Sequence, residues 1–289
     1  MSNKIKFIKN LIGFSGCEIK LYSTGNNNLF VRKISSSKGY NHRLKKQMEK
    51  QIFFFNNLSK NKITTPKVLG CGFRKGLFFF DMEYIIGLNL IDKISSATNV
   101  ELEEISKTIL EIISLEKSNK LGEVVALSDK FSDKLNELST KIPKNQIKLL
   151  TQLKQKCKIL PEVETTFCHG DLTLENILYD ESSKKYYLID FLDNFADHYW
   201  FDIAKLFQDI EAEWYVFRNP NIDRNSMGIK INFIKQKILK FLKLDYLPFH
   251  SIFMAMTLFR IVPYASELNY PFLLDKISKN LNDNKKLVN

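Results

Sequence analysis

Apolar residues in the first part of the chain recur in two rhythms. From Ile12 to Ile34 they alternate with polar ones, IGFSGCEIKLYS and then LFVRKIS, around the polar turn Gly25 to Asn28, which predicts two antiparallel strands. From Asn41 to Leu58 the rhythm changes: Leu44, Met48, Ile52 and Phe55 return every three or four residues, the mark of a helix buried along one stripe. After the turn at Thr65-Pro66, KVLGCGF and GLFFFDMEYI meet around Arg74 to Gly76 and predict two more strands. Beyond Gly87 helical spacing takes over, through residues 101–117 and 129–159. Strand character returns at Tyr186 to Phe191, and the remainder from Ile203 is mostly helical, punctuated by Pro220, Pro248, Pro263 and Pro271. The expectation is an α+β protein of two lobes, a small strand-rich one over residues 1–85 and a larger helical one over residues 86–289.

A chain of 289 residues, 44% of them hydrophobic, buries a sizeable core without a metal or disulfide staple. Its cysteines, at 17, 71, 157 and 168, form no CxxC pair, and a reduced, cytoplasmic protein is expected. The start, MSNKIKFIKNLIGF, lacks the apolar stretch of a secretory signal. The longest uncharged run, Tyr246 to Phe259, is fourteen residues broken by Pro248, too short for a membrane span and expected to be a buried helix. Charge is unevenly placed. Residues 1–75 hold sixteen Lys or Arg against two acids, Glu18 and Glu49, so a total of +11 divides into +14 there and −3 in the rest. Phosphate, nucleic acid or a membrane surface are candidate partners for such a segment. The bases fall on several elements with no groove-reading motif, so no specific nucleic-acid partner is expected.

The sharpest feature is CHGDLTLENILYD at residues 168–180, followed by YYLIDF at 186–191. His169-x-Asp171-Leu172-x-x-x-Asn176 matches the catalytic-loop pattern of phosphoryl-transfer enzymes, and Asp190 follows at the end of an apolar strand. Moving a phosphoryl group from ATP needs a carboxylate that orients the attacking hydroxyl and accepts its proton, which suits Asp171. It also needs oxygen ligands for Mg²⁺ on the phosphates, which suits Asn176 and Asp190. A Lys on the third strand should reach the phosphates, held by an acid on the next helix. Lys33 and Glu49 are expected to be that pair, with Arg32 the competing cation; Glu49 is the only acid between Glu18 and Asp81. His169 is expected to support the loop rather than to act as acid or base.

The form HGDLxxxNIL followed by LIDF resembles the aminoglycoside phosphotransferase and choline kinase group, with Gly170 where protein kinases usually carry Arg. That resemblance implies a protein-kinase-like fold and a phosphotransferase acting on a small-molecule hydroxyl acceptor such as a sugar, a surface-polysaccharide precursor, an amino alcohol or an aminoglycoside. It also implies a phosphate-covering turn at Gly13, Ser15 and Gly16, where an ordinary hairpin turn is the alternative, and a hinge offering adenine the backbone of Glu83 and Ile85. Asp202-Ile203-Ala204 resembles the group's downstream D-x-A, whose Asp supports the catalytic loop. Only eleven residues separate Asp190 from Asp202, leaving little room for a peptide platform. The acids Asp190, Asp193, Asp197, Asp202, Asp209, Glu211 and Glu213 either floor a pocket for a cationic acceptor or, beyond Asp190 and Asp202, are solvated helix charges. Tyr199, Trp200, Trp214 and Tyr215 either cage an ammonium group or pack in the core. The rival functions are a catalytically weak pseudokinase and nucleic-acid binding through the basic lobe; contact with a membrane or a lipid-linked glycan also stays open.

Overall fold

The computed structural model describes residues 5–11, 16–26, 28–58, 62–217 and 219–282. In chain order the first elements are β1 (Lys6–Leu11), β2 (Cys17–Ser23), β3 (Leu29–Ser35), α1 (Asn41–Asn57), β4 (Ile63–Thr64), β5 (Val68–Arg74) and β6 (Leu77–Glu83). Then come β7 (Leu88–Asn89), α2 (Leu90–Ser96), α3 (Asn99–Ser118), β8 (Lys120–Ala126), α4 (Leu127–Ser139) and α5 (Ile147–Lys156). The last are β9 (Glu162–Thr166), β10 (Ile177–Asp180), β11 (Lys185–Leu188), α6 (Tyr199–Ile210), α7 (Arg224–Tyr246), α8 (His250–Phe259) and α9 (Tyr270–Asn282). Contacts divide the chain into two compact units, Met1–Lys93 with His169–Asp193, and Ile94–Cys168 with Asn194–Asn289.

The first unit holds an antiparallel sheet in the order β1-β2-β3-β6-β5 and a smaller sheet in the order β4-β11-β10-β7. Period-two alternation turns Ile19, Leu21, Val31, Phe80 and Met82 to one face of the larger sheet, where they meet Leu44 and Met48 of α1. Fully burying a side chain such as Leu44 contributes about 2 kcal/mol. The buried stripe of α1 is Leu44, Gln47, Met48, Lys50, Gln51 and Phe54, whereas Ile52 is exposed. This departs from the stripe expected through Ile52 and Phe55, and three polar side chains share the inward face.

The second unit is built from α3 to α9 with the two-stranded ribbon β8-β9. The continuous helix expected over 129–159 is broken: α4 stops at Ser139, and the chain restarts after Pro143, whose ring cannot continue a helix. The Tyr246 to Phe259 run forms the end of α7, a short turn and α8, whose residues Ile252 to Phe259 are all buried. Among the described residues no helix is long and apolar enough to cross a membrane.

Candidate active site

Strand β3 separates the two candidate cations by its alternation. Lys33 pairs across the sheet with Ile19 and Phe80, is 1% exposed, and its Nζ lies 2.5 Å from Asp190 Oδ1. Arg32 faces the other way. Its Nε and Nη2 donate to the two Asp81 oxygens at 2.6 and 2.8 Å, its guanidinium lies 4.2 Å from the Phe79 ring centroid, and the bond to Asp81 raises its pKa further. Arg32 is therefore committed away from Asp190.

Glu49 does not join Lys33. At about 100° per residue it lies roughly 140° around the helix from Leu44, on the side away from the buried stripe. Its side chain is 55% exposed, with Lys45 Nζ 3.9 Å away. The acid facing Lys33 comes from Asp190, 157 residues further along the chain.

Asp190 follows the β10-β11 hairpin with φ of 60°, a conformation that costs a non-glycine residue free energy and persists only when its neighbours hold it. They do: Ile189 N donates to Asn176 O, and Leu192 N donates to His169 O, each at 3.0 Å. His169 is fully buried. One ring nitrogen, Nε2, is 2.7 Å from the Ile189 carbonyl and must donate to it, which leaves Nδ1 to accept the Asp171 N–H at 3.2 Å. Its ring packs on Phe191 at 4.3 Å, and Phe191 on Phe54 of α1 at 5.1 Å. A neutral imidazole engaged in this way positions the loop, as the sequence led us to expect.

Asp171 and Asn176 are folded together by a tight turn. Thr173 N donates to Asp171 O at 2.8 Å, and Asn176 Nδ2 donates to Asp171 O at 2.8 Å and to its carboxylate Oδ2 at 3.1 Å. Both partners are acceptors, so the amide orientation is fixed and Oδ1 is the atom left to coordinate a cation. Gly170 is required by its backbone: φ is 89°, and a Cβ there would lie 2.2 Å from Leu192 O. That same carbonyl accepts from Lys50 Nζ of α1 at 2.9 Å. Arg43 and Lys46, two turns and one turn earlier on α1, face Asp193 at 3.9 and 3.6 Å.

Of the residues expected to bind nucleotide, Gly13 and Ser15 lie outside the described residues. Gly16 immediately precedes β2, with φ of 69°. Glu83 ends β6, exchanging hydrogen bonds with Lys67 through its backbone N–H and its carboxylate. Ile85 lies in the following segment, which with Asp180 to Ser182 lines a cavity of about 630 Å³. The Asp190 carboxylate and the Asn176 amide oxygen are hard donors of the kind that Mg²⁺ takes beside water and phosphate oxygens, so the donor types fit Mg²⁺.

The model of the phosphotransferase enzyme family (APH) matches residues 19–223, more than two-thirds of the chain. The chain belongs to this family. The phosphotransferase is an enzyme, a small-molecule kinase, and its fold is the kinase-like fold of the group. Solved structures similar to it include the aminoglycoside phosphotransferase APH(4)-Ia with AMP-PNP and hygromycin B, 12% identical with a TM-score of 0.63, covering 95% of this chain and 92% of that one. The amicoumacin kinase hAmiN, solved with AMP-PNP, Ca²⁺ and Ami, is 13% identical with a TM-score of 0.56, covering 97% and 88%. A glucosamine kinase, solved with glucosamine, ADP and inorganic phosphate, is 10% identical with a TM-score of 0.51, covering 97% and 93%. No curated protein matches the chain.

Two ambiguities of the phosphotransferase sequence resolve within its units. Tyr199, Trp200 and Tyr215 are buried, and Trp200 packs on Phe249 and Phe253, so these rings are core, whereas Trp214 is half-buried against Phe217. The acids divide: Glu211 and Glu213 line a cavity of about 430 Å³ with Tyr215 and Lys235, and most of the others are paired or buried. Asp193 faces Arg43 and Lys46, Asp202 and Asp209 are buried, and Glu211 pairs with Lys235 and His250, each at 2.8 Å. Asp202 sits in the first turn of α6. Lys50, Lys46 and Arg43 were not singled out from the sequence. Their spacing of three and four residues was visible as a basic helix stripe, but the carbonyl and carboxylate they hold lie about 150 residues away.

Proposed function

We propose that this phosphotransferase moves the γ-phosphoryl group of ATP to a hydroxyl of a small molecule, with Mg²⁺ as cofactor. The observation that carries this is the buried Lys33 paired with Asp190, in the same unit as a loop that folds Asp171 against Asn176. Lys33 engages the phosphates once nucleotide draws it from Asp190, and burial makes its charge count for more than it would in water. Asp171 orients the acceptor hydroxyl and takes its proton. Asn176 through Oδ1 and Asp190 through its carboxylate hold Mg²⁺, which when bound neutralises the phosphate oxygens. Gly13, Ser15 and Gly16 cover the phosphates with backbone N–H groups, and the backbone of Glu83 and Ile85 receives adenine. Residues 1–85 form the nucleotide lobe and residues 86–289 the catalytic and acceptor lobe of a cytoplasmic enzyme. The acceptor class is a sugar or surface-polysaccharide precursor, an amino alcohol or an aminoglycoside; hygromycin B and glucosamine in the similar structures support it.

A coupled ADP-release screen over such acceptors tests the assignment. On the acceptor found, Asp171→Asn should keep ADP binding and lose about 10²–10⁴-fold in kcat. Unchanged turnover would remove Asp171 from the role of base.

A further inference from the structure

Helix α1 offers Lys33 no acid. Its inward polar side chains are Gln47, Lys50 and Gln51, and Glu49 points to solvent. The usual link between this helix and the phosphate-binding lysine is therefore absent, and the structure shows a different link in its place. Arg43, Lys46 and Lys50, spaced by three and four residues, lie along one side of α1 and hold the segment Leu192-Asp193 just beyond Asp190. The three are unequal. The side chains of Arg43 and Lys46 are 52% and 47% exposed, so their ion pairs are screened by water and worth little. Lys50 is 5% exposed, and its ammonium donates to Leu192 O at 2.9 Å. Removing an ammonium from water is costly, and a methionine of similar length would fill the same space at no such cost. Keeping the charge there points to a task that packing cannot do.

The geometry says what the task is. Leu192 O is the atom that leaves Gly170 no room for a side chain, and Leu192 N holds His169 O. Lys50 thus holds Leu192, which bonds His169 and packs against Gly170 beside Asp171 and follows the strained Asp190 by two positions. We propose that Lys50 is the positioning residue for Asp190 as a metal ligand: it replaces the absent helix acid by holding the ligand's own segment rather than the lysine. This rests on the nucleotide-binding reading above, and its effect should appear when Asp190 must turn its carboxylate from Lys33 to a cation.

The test is calorimetric titration of ADP into the full chain, with Mg²⁺ and with EDTA, for wild type, Lys50→Met, Lys50→Gln and Lys45→Met, an exposed charge on the same helix. Lys50→Met should retain ADP affinity in EDTA within about twofold, and should lose roughly tenfold of the enhancement that Mg²⁺ gives, the size usual for removing a group that orients a metal ligand. Lys50→Gln keeps a donor but no charge, so a smaller loss in the same direction is expected; it serves as the test if the Met variant does not fold. Lys45→Met should behave as wild type. Wild-type Mg²⁺ enhancement in either Lys50 variant overturns the assignment, as does an equal loss with and without Mg²⁺, which would mean general damage. A wild-type chain that binds no ADP overturns the proposed function itself.

Discussion

Replacing Gly170 by alanine tests how tightly the catalytic loop and the Asp190 segment are locked. Alanine at a φ of 89° occupies a conformation that L-residues avoid, at about 1–2 kcal/mol. Its Cβ would stand 2.2 Å from Leu192 O and 3.0 Å from the carbon behind it, so the peptide must retreat by about an ångström to restore ordinary contact. Such a shift stretches the bond from Lys50 at 2.9 Å, and a hydrogen bond from a charged group contributes about 1.5–3 kcal/mol. The two effects together destabilise the fold by about 3–5 kcal/mol. In a chain of this size each kcal/mol lowers the melting temperature by about 2 °C, so a drop of about 6–10 °C is expected. Differential scanning calorimetry measures it directly. A variant melting within a degree of wild type would show that the Leu192 peptide moves freely, and the argument for a locked loop would fail.

Two further outcomes follow from the geometry. Glu49→Gln should leave ADP affinity and turnover within about twofold of wild type, since an exposed charge pair contributes at most about 1 kcal/mol; a loss of tenfold or more would return Glu49 to the site. Glu211 gives a pH dependence. Burial by itself would raise its pKa, but the hydrogen bonds and charges of His250 and Lys235 outweigh burial and hold it at about 2, against an ordinary value of 4.5. Because the folded value is the depressed one, the stabilisation is fully present above about pH 4.5 and fades as pH falls toward 2. That difference amounts to about 3 kcal/mol, so Glu211→Gln should melt well below wild type at pH 7 and approach it by pH 3; a gap that does not narrow with pH would contradict the pairing.

How much of this was legible in the sequence depends on the range of the interaction. Strands β2, β3, β5 and β6 announce themselves by alternation bounded by turn residues, and α1 by its stripe, because neighbours in sequence decide those patterns. The pairing of Asp171 with Asn176 was legible because one tight turn joins them, and the β10-β11 hairpin returns Ile189, next to Asp190, to the Asn176 carbonyl, so spacing along the chain encodes proximity. The ribbon β8-β9 was hidden: β8 is mostly exposed, so no apolar alternation marks it, and its partner lies beyond two helices. The Lys33 partner was misassigned for a related reason. Glu49 was the only nearby acid, but helix rotation decides which residue faces the sheet, and the register here turns Gln47, Lys50 and Gln51 inward.

The same distinction changes the meaning of the charge. By position along the chain, residues 1–75 carry +14 and the remainder −3. By compact unit the contrast shrinks, because Met1–Lys93 folds with His169–Asp193 and takes in Asp171, Glu175, Asp180, Glu181, Asp190 and Asp193. That unit holds nineteen Lys or Arg against eleven Asp or Glu, a balance of +8, and the other unit carries +3. The bases that looked available for a polyanion include Arg32, bound to Asp81; Lys33, bound to Asp190; and Arg43 and Lys46, beside Asp193. Part of the anionic partner that the first lobe's composition calls for is thus a later stretch of the same chain. Three of those four pairs involve Asp190 or the residue three beyond it, so part of the basic excess is matched inside the fold, and the buried pair, Lys33 with Asp190, sets that carboxylate against β3.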